Sequence, residues 1–378
     1  MNFFKYKLFA FIFGLFRIFG VNERKISFIV PHSANIGGNI QYVYNELKSR
    51  DNFQFNFVAY SDYRLSPIKK IISYIKVFTT GAYNLARSKY IFLNGEFRPL
   101  AFMKINKETV VVQLWHGSGA FKKFGLSSVK DPDLIYIGEK VSHNLDIIPI
   151  SSKNLIKFYT EAFGVEEEKI LPLGVPRIDY YFENHDIDKI REDFNKKYPK
   201  AKGKKLVLYA PTFRESEGAD EKILDNFDYK KFNKELSDEY FLIIKLHPII
   251  NQYNDLDSNE FFTNLTNYEN EMELLLISNI LITDYSSIML DFAILKKPMI
   301  FYPYDYEDYN KNERGFFFNY KECVPGKIVT TNDEIIQAIK KPDLDINKLN
   351  KFLKFQYDNL DGNSTKNIVD YCLNYKKQ

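Results

Sequence analysis

The sequence predicts an α/β protein with two Rossmann-like domains. From Lys25 onward, short apolar runs rich in β-branched and aromatic residues alternate with longer helical stretches, a pattern typical of βαβ units and parallel sheets. The chain has 378 residues, and at about 150 residues per domain this length accommodates two units. A polar, lysine-rich stretch over residues 184–204 separates two series of such runs and predicts a linker.

In the first domain, residues 23–183, the strand KISFIV precedes a loop with two glycines and a helix over residues 39–49. Further strands are predicted at 53–60, 90–93, 109–114 and 147–150, with helices at 67–87 and from the N-cap Ser151 to Phe163. In the second domain, residues 205–378, the runs KKLVLYA, FLIIKLHP, ISNILITDYSS and KPMIFYP predict strands. Helices follow at 333–340 and within 345–375, and the last of them could pack back on the first domain.

The composition excludes several classes of protein. Hydrophobic residues make up 45% and charged residues 27% of the chain, which excludes bulk disorder and a multispanning membrane protein. A net charge of +3 gives no overall attraction to nucleic acid, so we expect no nucleic-acid partner. Cys323 and Cys372 have neither metal-ligand spacing nor the density of a disulfide scaffold, which favours the cytoplasm.

Residues 1–22 combine aromatic bulk with positive charge. The first 50 residues hold seven Lys or Arg and two Glu, and the apolar run from Leu8 to Phe16 has nine residues, whereas a membrane-spanning helix takes about twenty. No small-residue cleavage site follows the run, so export is not expected. The residues alone leave two interpretations open: a helix lying in the membrane interface, or a core helix of the first domain.

Polar residues cluster where four predicted strands end, which is the edge at which open α/β sheets bind ligands. The first cluster, WHGSGAFKK, presents Trp115 and His116 in a glycine-containing loop. Histidine can accept a proton near neutral pH because its unperturbed pKa is about 6.5. A core histidine beside Trp115 is the alternative, but the strand-end position and the lysines that follow favour a functional role.

The second and third clusters are APTFR and KLHP. Thr212 can donate to a phosphate oxygen and Arg214 can bind two such oxygens, although Arg214 could instead pair with Glu215 or Glu217 at the surface. Strand alternation places Lys245 and His247 on one side, so two donors face one site.

The fourth cluster, TDYSSIMLDF, places Ser286 and Ser287 at the start of a helix, where free N–H groups and the helix dipole favour an anion. Asp291 lies one turn further and could accept hydrogen bonds from ribose hydroxyls. The alternative for Ser286 is an ordinary N-cap assisted by Asp284. No P-loop or dinucleotide fingerprint is found, and no acidic pair or histidine set has metal-ligand spacing, so we expect a reaction without metal or cofactor.

Taken in order, WHG with following lysines, GVPRIDYYF, APTFR, KLHP, TDYSSIMLDF and ERGFFFNY resemble the CDP-glycerol glycerophosphotransferases that build teichoic acids and related capsule polymers. The resemblance spans about Lys25 to Lys340 and implies a GT-B-like fold, with a cleft between the two domains. It also implies transfer of a polyol phosphate, with glycerol phosphate as the first choice, from a CDP-activated donor to an acceptor hydroxyl, releasing CMP. The donor is a substrate, and no cofactor is implied.

The resemblance assigns roles residue by residue. His116 is the general base and His247 the second candidate catalytic residue. The diphosphate would be held by Lys245, His247, Thr212, Arg214, Ser286 and Ser287, the ribose by Asp291, and the donor phosphate also by Arg177. Trp115, Gly117, Ser118, Gly119 and Lys122 would form the acceptor loop. This loop departs from the family, which commonly has Thr-Pro where this chain has Ser118 and Gly119, and a lysine one position earlier than Lys122.

A lipid-linked or polymeric glycan acceptor implies work at the inner face of the cell membrane as a peripheral protein, which favours the interfacial interpretation of residues 1–22. Deleting residues 1–20 is then expected to release the protein into the soluble fraction without unfolding it. Two other functions stay open. One is a GT-B glycosyltransferase that uses a CMP- or other nucleotide-activated sugar, since bacterial sialyltransferases carry similar His-Pro and Ser-Ser elements. The other is a catalytically silent assembly factor that binds nucleotide or polymer.

Overall fold

The computed structural model describes residues 3–30, 36–59, 67–214, 223–247, 250, 262–268 and 270–377. The chain divides into two compact units. Unit 1 comprises Met1–Ala120, Phe124–Asp179 and Tyr357–Gln378, and unit 2 comprises Phe121–Lys123 and Tyr180–Gln356. Each unit contains a parallel sheet, so the predicted α/β class is confirmed.

Unit 1 contains a four-stranded sheet in the order β2-β1-β3-β4. The strands are β1 (Asn22–Val30), β2 (Gln54–Ala59), β3 (Ser88–Leu93) and β4 (Val110–Gln113), and the short strands β5 (Ile148–Pro149) and β6 (Ile170–Leu171) pair separately. The helices are α1 (Phe4–Phe16), α2 (Gly38–Arg50), α3 (Pro67–Lys76), α4 (Ala82–Ala86), α5 (Pro132–Ser142), α6 (Ile156–Phe163) and α15 (Ser364–Asn374). A π-helical segment, Val77–Gly81, joins α3 to α4.

Unit 2 contains a six-stranded sheet in the order β12-β11-β10-β7-β8-β9. Its strands are β7 (Lys205–Tyr209), β8 (Tyr240–Ile244), β9 (Phe262–Asn264), β10 (Ile280–Thr283), β11 (Met299–Phe301) and β12 (Lys327–Ile328). The helices are α7 (Ile187–Lys197), α8 (Tyr229–Leu236), α9 (Glu271–Ile277), α10 (Ile288–Ile294), α11 (Tyr306–Asn312), α12 (Tyr320–Cys323), α13 (Asn332–Lys340) and α14 (Ile346–Gln356). The central strands are buried on both faces, as expected for a parallel sheet covered by helices.

The stretch predicted as a linker, 184–204, is not a connector, because it contains helix α7 within unit 2. The Asp186 side chain caps this helix by accepting from the backbone N–H of Lys189, and Phe194 is buried. Of the lysines that suggested a linker, Lys189, Lys196 and Lys197 are exposed on this amphipathic helix, and Lys200, Lys202 and Lys204 follow it. The units divide between Asp179 and Tyr180 rather than at residue 183. Helix α6 also begins later than predicted, and Ser152 caps the turn before it in place of Ser151.

The last helix, α15, belongs to unit 1. Its Ile368, Val369 and Cys372 are buried in the same core cluster as Ile26 and Val112 of the sheet. The carboxylate of Asp179, which is 6% exposed, accepts hydrogen bonds from the backbone N–H of Ser364 (3.0 Å) and Thr365 (2.7 Å) and from the Thr365 hydroxyl (2.6 Å). Asp179 therefore satisfies three donors at the start of α15.

Helix α1 has two apolar faces. Tyr6, Phe9 and Phe13 are buried, and the ring of Phe9 makes edge contacts with Phe78 and Phe97 at centroid distances of 5.4 and 5.7 Å. The opposite face leaves large apolar side chains exposed: Phe4, Leu8, Phe11 and Leu15, followed by Ile18 and Phe19. The core-helix interpretation is thus correct for one face of α1. Within the described ranges, the structure contains no helix with the length and apolar character needed to cross a bilayer.

We expect Asp179→Ala to lower the free energy of unfolding by at least about 2 kcal/mol, because three donors lose their acceptor in a buried setting. The measurement is urea unfolding monitored by circular dichroism. Asp186→Ala removes a cap that satisfies one exposed N–H and serves as the control, with an expected loss of about 0.5–1 kcal/mol. Equal losses in the two variants would contradict the importance of Asp179.

Candidate functional site

The WHG loop leaves the carboxyl end of β4 in unit 1. Trp115 packs its ring on Phe124 (centroids 5.3 Å apart, stacked), on Phe163 (5.3 Å, edge-on) and on the neighbouring His116 (4.2 Å). His116 itself is exposed, so its imidazole is accessible to solvent. Trp115 has a φ of 56°, a value that costs a bulky residue of the order of 1–3 kcal/mol and persists only when neighbouring contacts enforce it.

The same loop contacts the GVPR segment. The Nε of Arg177 donates to the hydroxyl of Ser118 (3.2 Å), and the carbonyl of Gly119 accepts from the Tyr159 hydroxyl (3.1 Å). Ser118 is fully buried. The structure therefore brings together six of the predicted site residues in unit 1: Trp115, His116, Gly117, Ser118, Gly119 and Arg177.

A second group forms in unit 2 around His247. The ring of His247 lies 4.6 Å from that of Phe213, and the guanidinium of Arg314 lies 5.9 Å from the centroid of the same Phe213 ring. Lys245, which is 8% exposed, pairs with Glu271 (Nζ to Oε2, 3.1 Å). Packing that removes water from part of the imidazole lowers the pKa of His247, and the positive charges of Lys245, Lys122 and Arg314 lower it further, against an opposing effect of Glu271.

Lys122 lies in unit 2, although His116, six residues earlier in the chain, lies in unit 1. The segment Phe121–Lys123 runs alongside residues 315–317: the N–H of Lys123 donates to the Gly315 carbonyl (3.1 Å) and the N–H of Phe317 to the Phe121 carbonyl (3.0 Å). Lys122 forms an isolated antiparallel bridge with Phe316. This pairing carries Lys122 into the group around His247.

Arg214 is not at the surface. Its side chain is 2% exposed and binds Asp284 (Nη2 to Oδ2, 2.9 Å) and Asp305 (Nε to Oδ2, 2.7 Å; Nη2 to Oδ1, 2.9 Å). Tyr285, Tyr304 and Tyr309 surround the guanidinium at 5.0–5.3 Å. Burial alone lowers the pKa of Arg214, but the two carboxylates outweigh it and raise the pKa above its usual value. The surface pairing considered from the sequence is wrong for this buried side chain, and Glu215 and Glu217 lie outside the described residues.

Thr212 and the serines lie at neighbouring strand ends. The Thr212 hydroxyl is buried and has no hydrogen-bond partner among the residues that the structure describes, while its backbone N–H donates to Asp284 (2.7 Å). Asp284 also accepts from the N–H of Tyr285 and from Arg214. The N-cap residue of α10 is Ser287, without a side-chain cap bond, and not Ser286 as the alternative suggested. Ser286 accepts a long bond from the N–H of Ile288 (3.4 Å), and Ser287 is exposed at the N-terminus of this seven-residue helix.

Asp291 is 1% exposed and accepts from the Tyr181 hydroxyl (3.4 Å). The sequence reasoning missed Arg314 as a site residue, although ERGFFFNY was recognised as a motif. It also missed Asn39, which lies next to the two glycines after β1. Within the described parts of the chain, no group of three or more His, Cys, Asp or Glu side chains could hold a metal ion.

Neutralising Lys245 by Lys245→Met is expected to raise the pKa of His247, because one of the charges that oppose protonation is removed. Because the pKa of His247 is lower in the folded protein than in the unfolded chain, the unfolded chain binds the proton more readily. His247 therefore lowers the free energy of unfolding as the pH falls below about 6.5. The variant should reduce that loss.

The check is the NMR titration of labelled histidines, with His247→Gln identifying the resonance. Lys231→Met serves as the control, because Lys231 pairs with Asp333 at the surface. An unshifted His247 titration in Lys245→Met would show that the charge of Lys245 does not reach the ring.

Comparison with known proteins places the chain in a family. The CDP-Glycerol:Poly(glycerophosphate) glycerophosphotransferase profile matches residues 10–374. The teichoic acid poly(ribitol-phosphate) polymerase of Bacillus spizizenii is 35% identical over 96% of this chain, which spans 58% of that polymerase. The teichoic acid glycerol-phosphate primase of Bacillus subtilis is 32% identical over 76% of this chain and 75% of the primase.

The solved structure of the wall teichoic acid polymerase TagF is similar in fold, with a TM-score of 0.77 at 24% identity over 96% of this chain and 92% of that one. Together with the motifs gathered at the strand ends, these matches give one conclusion: the chain belongs to the CDP-glycerol:poly(glycerophosphate) glycerophosphotransferase family.

Proposed function

We propose that this protein transfers a polyol phosphate from a CDP-activated polyol to a hydroxyl of a lipid-linked or polymeric glycan, releasing CMP, in teichoic acid or capsule synthesis. The observation that carries the proposal is the group in unit 2, where Lys245, Lys122 and Arg314 surround His247. Positioned cations and donors around a diphosphate are what phosphoryl transfer requires from a protein.

The donor is assigned to unit 2. Lys245, Lys122 and Arg314 would offset the charge of the diphosphate, and the buried Thr212 hydroxyl would donate to one of its oxygens. The pKa of His247 is lowered by burial and by the neighbouring cations, and a ring N–H of His247 would donate a hydrogen bond to a phosphate oxygen.

Ser286 and Ser287 are proposed as further diphosphate contacts, Asp291 as the ribose contact, and Arg177 as a phosphate contact from unit 1. The burial of Arg214 between two carboxylates supports a different role from direct binding. Arg214 would position Thr212 and Asp284 for the donor.

The reaction is assigned to His116. Its imidazole would accept the proton of the acceptor hydroxyl while the hydroxyl oxygen attacks the phosphorus that carries the polyol. The bond from that phosphorus to the oxygen of CMP breaks, and the electron pair leaves with CMP, where the cations compensate the charge. The product is a phosphodiester, and the proton held by His116 returns to solvent.

The donor polyol is the finest part of the proposal. The sequence motifs favour glycerol phosphate as the transferred group, whereas the two relatives are named for ribitol phosphate and for glycerol phosphate. CDP-glycerol and CDP-ribitol are therefore both candidates, and a direct comparison of their turnover identifies the substrate.

We expect purified protein to release CMP from CDP-glycerol or CDP-ribitol when an acceptor is present, and we expect His116→Ala to lower kcat by about 10²–10⁴-fold because the base is lost. His143→Ala is the control, since His143 is an exposed histidine of unit 1 whose ring contacts the carbonyl of Glu139. CMP release is measured by chromatography.

CMP-sialic acid is included in the same assay. Turnover of CMP-sialic acid alone would favour the glycosyltransferase alternative. Nucleotide binding without transfer by any donor would favour the assembly factor. Full activity in His116→Ala would contradict the assignment of His116 as the general base.

We also propose that the protein works at the cytoplasmic face of the cell membrane as a peripheral protein. Support comes from α1 and from α3, where Ile68, Ile71, Ile72 and Ile75 are 60–72% exposed. Neither helix contains Asp or Glu, and among the side chains that the structure describes Lys5, Lys7, Lys69 and Lys76 are exposed. Exposed apolar side chains with flanking cations suit the interface of an anionic bilayer.

Truncation of residues 1–20 is a poor test of membrane binding, because it would remove the buried Tyr6, Phe9 and Phe13 and uncover Phe97. We expect such a truncation to destabilise unit 1, in contrast to the expectation from sequence. Substitutions on the exposed faces of the helices leave this packing intact.

Phe11→Glu combined with Ile72→Glu is expected to lower binding to phosphatidylglycerol-containing vesicles at least about tenfold, because two charges replace inserted apolar groups. The thermal midpoint should change little, since Phe11 and Ile72 are 64% and 60% exposed. The control is Ile346→Glu, which charges a 42% exposed apolar position in unit 2. Vesicle sedimentation gives the measurement, and unchanged binding of the double variant would exclude these faces.

A further inference from the structure

The peptide before His116 is in a conformation that its own residue disfavours. Trp115 has a φ of 56°, in the left-handed region that glycine adopts readily and bulky residues avoid. Trp115 is also the one tryptophan of the sequence. Contacts around Trp115 must therefore stabilise this backbone conformation, and the fluorescence of Trp115 can report their effect.

Two buried amide side chains bind the two polar groups of the Trp115 backbone. The Oε1 of Gln113 accepts from the Trp115 N–H (3.0 Å), and its Nε2 donates to the carbonyl of Gly95 (3.0 Å). The Nδ2 of Asn39 donates to the Trp115 carbonyl (2.8 Å), with a longer contact to the Leu114 carbonyl (3.4 Å). Gln113 and Asn39 are 2% and 1% exposed, so both bonds are partly shielded from water.

Asn39 makes a further contact that links two site segments. Its Oδ1 accepts from the backbone N–H of Arg177 (2.9 Å), and the side chain of Arg177 donates to Ser118 (3.2 Å). Asn39 lies in the first turn of α2, where the next residue, Ile40, is fully buried in the core. The WHG loop and the GVPR segment are thus bonded to one side chain fixed by a packed helix.

We propose that Asn39 and Gln113 are positioning residues that set the orientation of His116. The Trp115 carbonyl and the His116 nitrogen share one planar peptide group, so a bond to that carbonyl fixes the plane from which the imidazole extends. The inference rests on the proposed function, in which His116 is the general base. Neither Asn39 nor Gln113 takes part in the proton transfer itself.

The test compares three variants. Asn39→Ala removes both bonds of Asn39. Asn39→Asp keeps the acceptor for the Arg177 N–H but cannot donate to the Trp115 carbonyl, and Gln113→Glu keeps the acceptor for the Trp115 N–H. We expect both Asn39 variants to lower kcat by about 10–10²-fold, as a displacement near 1 Å can do, with KM for the CDP-polyol within about threefold of wild type. Gln113→Glu should retain more activity than either.

Tryptophan emission provides a readout that requires no substrate. Asn39→Ala and Asn39→Asp are expected to shift the emission maximum to longer wavelength and to increase quenching by acrylamide, because Trp115 loses its fixed packing. Asn106→Ala is the matched control. The Asn106 side chain also donates to a carbonyl (Ala86, 2.9 Å) and accepts from another residue (Arg17, 2.7 Å), but it precedes β4, at the end opposite Trp115.

Unchanged emission and quenching in both Asn39 variants would overturn the inference, as would wild-type kcat in Asn39→Asp. If Asn39→Ala does not fold, the same measurements on Asn39→Asp decide. Full transfer by His116→Ala would show that His116 is not the general base. The emission shift of the Asn39 variants is independent of that result, because it tests only whether Asn39 fixes Trp115.

Discussion

The buried ion pairs of Arg214 with Asp284 and Asp305 hold together the strand ends on which the proposed donor site of unit 2 is built. Arg214 follows β7, Asp284 follows β10 and Asp305 follows β11. Removing Arg214 would leave the buried carboxylate of Asp284 without its charged partner, at a cost of about 3–5 kcal/mol. Because Asp284 also accepts the N–H groups of Thr212 and Tyr285, this network fixes the backbone from which Thr212 and Ser286 extend.

In unit 1 the corresponding loop is fixed mainly by neutral groups, and the guanidinium of Arg177 contacts it at Ser118. There the loop that presents His116 is fixed by the amides of Asn39 and Gln113 and by aromatic packing around Trp115. Lys245, Lys122 and Arg314 lie in unit 2, where a diphosphate would need positive charge.

Helix α1 shows how one segment can satisfy two demands. An aromatic-rich helix with apolar side chains on two faces can bury one face in a domain core and still present the other to a different apolar environment. Tyr6, Phe9 and Phe13 serve the core of unit 1, and Phe4, Phe11 and Leu15 remain exposed. The membrane proposal concerns only the second set.

The α/β class, the positions of most strands and the clusters at the strand ends are predictable from the sequence, because apolar periodicity is a local signal and each motif directly follows its strand. Contacts between distant residues depend on the tertiary fold. Arg214 binds carboxylates 70 and 91 positions away, α15 joins the core of unit 1, and Lys122 pairs with the segment after Arg314. The polar stretch at 184–204 is helical for the same reason: burial of Phe194 depends on a partner surface that local composition does not reveal.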